Sequence, residues 1–114
     1  MSDPEAAGEV ELALVTMTFD ARQGDELAAG QLLAVLSKYV VLSRNHPGCR
    51  NIDLCGSVTN PGRYLIVEKW ATPEAQRSHF DSPDMVEMAR ACEGLLASRP
   101  EIDLLEGISA HDLH

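Results

Sequence analysis

Glu68, Trp70 and His79 are the residues of this chain whose types and spacing could do chemistry. Glu68 follows an apolar run, Tyr64-Leu65-Ile66-Val67, and stands two positions before the single tryptophan, Trp70. Strand residues two apart share a face, so Tyr64, Ile66, Glu68 and Trp70 fall on one side. A carboxylate among such groups is partly desolvated, which raises its pKa and suits it to proton transfer. The competing reading is a carboxylate at the sheet edge, paired with a nearby Lys or Arg. An indole contributes mostly through burial, but at a pocket wall it also stacks on flat aromatic ligands. His79 follows Arg77 and Ser78 where a short helix ends, a place where its charge suits the dipole. Facing Glu68, it would serve as a neutral base or as a donor to a substrate oxygen.

Other reactive types offer less. Cys49, Cys55 and Cys92 are an odd number without C-x-x-C spacing, which argues against a disulfide framework and a structural zinc site. Cys49 reads as a small hydrophobe starting a strand, and His46 as part of a turn. The four histidines show no H-x-H or H-E-x-x-H run. With no G-x-G-x-x-G either, neither a cofactor nor a metal is expected. The formal charge of −9, from 9 basic and 18 acidic residues, repels nucleic acid and anionic membrane surfaces. No stretch reads as a membrane span, and residues 1–8 lack signal-peptide features. A cytoplasmic protein is the expectation.

The 114 residues suffice for one core, expected as a single domain over residues 9–109 with flexible tails at 1–8 and 110–114. Glu9 to Asp20 is apolar on both faces and reads as a covered strand. A helix runs from an Asp25 N-cap to Ser43, with Ala29, Leu33, Leu36 and Val40 as its stripe. Asn45, in the left-handed conformation, and Pro47 close it. A second strand spans Arg50–Ser57. Pro61 and Gly62 then occupy the centre of a type II turn into a third strand, Arg63–Ala71. Thr72-Pro73-Glu74 and Ser82-Pro83-Asp84 are matching helix starts. They open a short helix, Pro73–Phe80, and a longer one, Pro83–Ala97, with Met85, Ala89, Cys92 and Leu96 inward. Ile102–Ser109 is the last strand. The order β-α-β-β-α-β indicates an α+β, ferredoxin-like fold, a four-stranded antiparallel sheet with helices on one face. The other face, carrying Leu65 and Val67, would be an exposed apolar patch, so a homodimer packed sheet on sheet is expected.

The segments "HPGC" (46–49), "NPGRYLIVEKW" (60–70) and "HFDSP" (79–83) resemble the antibiotic biosynthesis monooxygenase superfamily, over about Glu9 to Ser109. The resemblance implies a dimeric α/β-barrel of two ferredoxin-like subunits. It also implies oxidation of aromatic substrates without metal or flavin, as in quinol monooxygenases and anthrone oxygenases. The haem-degrading branch has an Asn on the first strand, a Trp on the short helix and a His on the long one. This chain has no Asn before Asn45, and those helical positions fall near His79 and Ala89. Trp70 matches the strand Trp of the anthrone-oxygenase branch, whereas Ile66 stands where that branch has an Asn.

The reading that emerges is a cofactor-independent monooxygenase of a hydroquinone-like or polycyclic phenolic molecule. Glu68 or His79 would be the base, and Trp70, Tyr64 and Ile66 the apolar pocket. An isomerase of a small keto or hydroxy metabolite would use the same acid and base without oxygen. A dimer that only holds a ligand is the third possibility.

Overall fold

Buried and half-buried residues alternate along Ala13–Asp20, the first strand (β1) in the computed structural model, which describes residues 12–110 and 112. The tail at 1–8, the expected start of this strand at 9–11, and residues 111, 113 and 114 lie outside the described residues. Helix α1 spans Glu26–Ser43, and the Asp25 side chain accepts from the Leu27 N–H as its N-cap. Strands β2 (Cys49–Gly56) and β3 (Arg63–Trp70) form the hairpin. Its turn has Arg63 N–H donating to the Asn60 carbonyl and Gly62 at φ +87°, as a type II turn requires. Helices α2 (Pro73–Phe80) and α3 (Pro83–Ala91) carry the expected Thr72 and Ser82 caps, and β4 spans Glu101–Glu106.

All pairings are antiparallel in the order β2-β3-β1-β4, the ferredoxin-like arrangement. Registers place Val15 opposite Glu68, Met17 opposite Ile66 and Ile52 opposite Glu68. These residues share the helix-side face, and Val15, Met17, Ile52 and Ile66 form the buried core with Phe19, Leu32, Leu36 and Trp70. Leu14, Leu65 and Val67 belong to the opposite face.

Four local expectations are corrected. The inward stripe of α1 is Ala28, Leu32, Leu36, Tyr39, Val40 and Ser43, while Leu33 is 41% exposed. Leu27, Leu33, Val41 and Leu42 make the outer side apolar too, so periodicity alone cannot select the buried face. Asn45 is not left-handed, since among the described residues only glycines have positive φ. Bonds from Asn45 to Leu42 and from His46 to Ser43 tighten the end of α1 instead. Helix α3 stops at Ala91 rather than Ala97, and Ala89 faces out. Gly94 turns the chain at φ +82° so that Leu96 bridges Ala21 on the continuation of β1. The last strand ends at Glu106, before Ser109, where Gly107 N–H turns to the Leu12 carbonyl. Helix α1 is also long and apolar enough to cross a membrane by length and composition, contrary to the expectation. Its Leu32 and Leu36 are fully buried against the sheet, as in a core helix.

The loop between α1 and β2 sets the spacing of the site. Gly48 has φ +83°, its carbonyl accepts from Ala71 N–H, and a Cβ added there would lie 2.5 Å from Ala75 Cβ on α2. Gly94 has a similar φ but nothing within 4 Å. Gly48→Ala is therefore expected to cost about 2–4 kcal/mol, from backbone strain plus overpacking. Gly94→Ala should cost only about 1–2 kcal/mol, from the backbone alone. Urea unfolding of the two variants measures the difference, and equal losses would show that α2 does not press on the loop.

Candidate active site

β3 delivers two of the expected residues through its two-residue period. Glu68 is 2% exposed and Trp70 fully buried. The Trp70 Nε1–H donates to Glu68 Oε1 at 2.9 Å, so the indole lies back along its own strand. From α1, the Tyr39 hydroxyl donates to Glu68 Oε2 at 2.6 Å. Neither donor carries a positive charge. Burial therefore pushes the Glu68 carboxyl above its ordinary pKa, and the two hydrogen bonds oppose the rise. Tyr39 is held well above its usual range by burial and then by the neighbouring Glu68 charge, so it stays a donor. The same burial, with Glu68 nearby, raises Cys49.

His79 arrives from the last turn of α2 and is 2% exposed. Its ring stacks on the Trp70 indole, with centroids 4.5 Å apart and planes 30° from parallel. Its Nε2 lies 2.8 Å from the Oγ of buried Ser43, one or the other donating according to the imidazole tautomer. His46, from the loop after α1, meets His79 edge-on at 4.8 Å. Burial, reinforced by His46, lowers the His79 pKa to about 4. The imidazole is thus neutral at physiological pH, a hydrogen-bonding group and a weak base.

Glu68, Trp70 and His79 are thus brought together, with Trp70 touching the other two. Tyr64 and Ile66 share their strand face but belong to the core. Ile66 is fully buried, and the Tyr64 hydroxyl is spent on the Ala29 carbonyl at 3.2 Å. Sequence reasoning missed Tyr39 and Ser43. Their signal was present: Leu32, Leu36, Tyr39 and Ser43 are spaced four, three, four, a second stripe whose polar end meets the polar end of β3. The edge-of-sheet reading of Glu68 fails, because β3 is internal and the two carboxylate oxygens accept from Tyr39 and Trp70.

The pKa displacement of His79 has a sign that can be checked. An unfolded histidine titrates near 6.5 and the folded one near 4. Between those values the unfolded chain binds a proton that the folded one refuses, so stability is lost as pH falls from 6.5 towards 4. Glu68 runs the other way, its raised pKa withdrawing stability as pH rises above 4.5. Between pH 7 and 4.5 the wild type should lose about 2 kcal/mol more than His79→Gln, which keeps a partner for Ser43. Denaturant unfolding at the two pH values reads this, and parallel losses would mean that His79 takes up its proton freely.

A family model described as antibiotic biosynthesis monooxygenase matches residues 4–91. Curated protein sequences give no match. Among solved structures, an inferred antibiotic biosynthesis monooxygenase from Nitrosomonas europaea superposes with a TM-score of 0.78 at 12% identity, over 89% of this chain and 94% of that one. One from Deinococcus radiodurans has a TM-score of 0.78 at 21% identity, over 90% and 98% of the two chains. A Pseudomonas aeruginosa protein has a TM-score of 0.72 at 26% identity, over 86% and 94%.

Proposed function

The chain belongs to the antibiotic biosynthesis monooxygenase family, and on that premise we propose a cofactor-independent monooxygenase of a hydroquinone-like or polycyclic phenolic molecule. The observation that carries the reading is the buried carboxylate of Glu68, held by two neutral donors beside a neutral histidine. Desolvation makes it a stronger base than an ordinary carboxylate. His79, with its pKa near 4, is the poorer base and acts here as a hydrogen-bonding neighbour. Glu68 takes the phenolic proton, and the electron-rich anion reacts with oxygen. One oxygen atom enters the substrate and the other leaves as water, the substrate itself supplying the electrons. Trp70, Ile66 and Tyr64 pack around the carboxylate as apolar core and keep water from it. Exclusion of water and orientation are the protein's other contributions.

Oxygen uptake with a series of hydroquinones tests this. Glu68→Gln is expected to lower kcat about 100-fold or more, as loss of a general base does. His79→Ala should lower it about tenfold. Equal uptake by all three proteins would remove both residues from the mechanism. Turnover that persists without oxygen would indicate an isomerase, and binding without turnover a ligand-holding protein.

The active form proposed is a cytoplasmic homodimer. Leu14, Leu65 and Val67, with Leu105 opposite Leu14 on β4, lie on the face without helices, and a second copy would cover them. Sedimentation equilibrium should give twice the 12.4 kDa chain mass. Val67→Asp should return it to the monomer. A wild-type monomer at micromolar concentration would overturn the assembly.

A further inference from the structure

The cluster around Glu68 is closed to solvent, so a ligand needs a route to it. Helices α1 and α3 leave a groove of about 270 Å³ between them, walled by Ala34, Val35, Tyr39, Leu42, Met88 and Ala91. Its wall is mainly apolar, and Tyr39 belongs both to this wall and to the 2.6 Å hydrogen bond with Glu68. No other residue lining the groove bonds to Glu68. The volume approaches the lower range of small-molecule sites and suits one or two fused rings. Lys38, Asp84 and Glu87 stand at the groove, with Lys38 paired to Glu87 at 3.3 Å. Two carboxylates against one ammonium disfavour an anionic ligand and admit a neutral phenol.

We propose that the groove between α1 and α3 binds a neutral phenol and that Tyr39 relays its proton to Glu68. This rests on the reading of Glu68 as the base and names the residue through which it acts. The phenolic O–H bond breaks and its proton passes to the Tyr39 oxygen. The proton already on Tyr39 moves along the existing hydrogen bond to Glu68 Oε2. The products are a phenolate and a neutral glutamic acid, Tyr39 is unchanged, and no electron moves. Tyr39 is then the residue that touches substrate, and Glu68 works from behind it.

The test uses 4-nitrophenol, whose phenolate is coloured, and involves no turnover. Added below its own titration range, it should bind the wild type saturably and develop the phenolate band. Tyr39→Phe keeps the ring in the wall and should bind within about threefold of wild type, without the band. Glu68→Gln should also lack it. Ala34→Trp, which fills the groove from an exposed position, should weaken binding at least tenfold. Far-UV circular dichroism and urea midpoints establish that each variant is folded. Undiminished binding by Ala34→Trp would overturn the site, as would no saturable binding by the wild type. An undiminished phenolate band in Tyr39→Phe, or none in the wild type, would overturn the relay. Failure to oxidise hydroquinones would count against the oxygenase reading alone, because these measurements do not depend on oxygen.

Discussion

A carboxylate shut away from water and held by two neutral donors is the constraint around which the helix-side core is arranged. Desolvating such a group costs several kcal/mol even after the protein relaxes. Charge-assisted bonds from Tyr39 and Trp70 offset part of this, and they must be present together. Trp70 comes from the same strand, which fixes the rotamer of its indole along β3. Tyr39 comes from α1, which fixes the rotation of that helix about its axis. With the indole so placed, its ring meets His79, and α2 must begin soon after β3 to bring His79 there. Thr72 at the N-cap and Pro73 in the first turn start the helix directly. One buried charge thus couples a strand and two helices.

What the sequence made legible is what short-range chemistry decides. The Asn60–Arg63 turn, the Thr72 and Ser82 caps and the strand period of Tyr64, Ile66, Glu68 and Trp70 each depend on residues within a few positions. They led directly to the hairpin, the short helix and the meeting of Glu68, Trp70 and His79. The rotation of α1 was not legible, because Leu27, Leu33, Val41 and Leu42 make its outer side as apolar as its inner one. Tyr39 was hidden for the same reason, since choosing the stripe through Leu33 turns it away from the sheet. The early end of α3 answers a tertiary demand. Leu96 leaves the helical path to bridge Ala21, and nothing local to residues 92–97 except Gly94 announces it.

Stability alone does not account for Glu68. Its cross-strand neighbours are Val15 and Ile52, both fully apolar, and a leucine between them would continue the surface without a desolvation cost. A sequence that breaks its own binary pattern at one core position does so where function competes with folding. Around that position the departure is supported at every contact. Tyr39 stands where an aliphatic residue would fill the stripe, and Ser43 supplies a hydroxyl to a histidine that burial would otherwise strand.

Glu68 and His79 are displaced in opposite directions, the acid upward and the imidazole downward to about 4. In an ordinary aqueous pair the carboxyl ionises first, and an interval follows in which carboxylate and imidazolium attract each other. Here the displacements narrow that interval, because burial disfavours the charged form of both groups. With the imidazole neutral at physiological pH, the pair is a base facing an uncharged hydrogen-bonding partner and not a salt bridge. It favours a substrate that arrives neutral and gives up one proton, and it leaves His79 free to hydrogen-bond without competing for that proton.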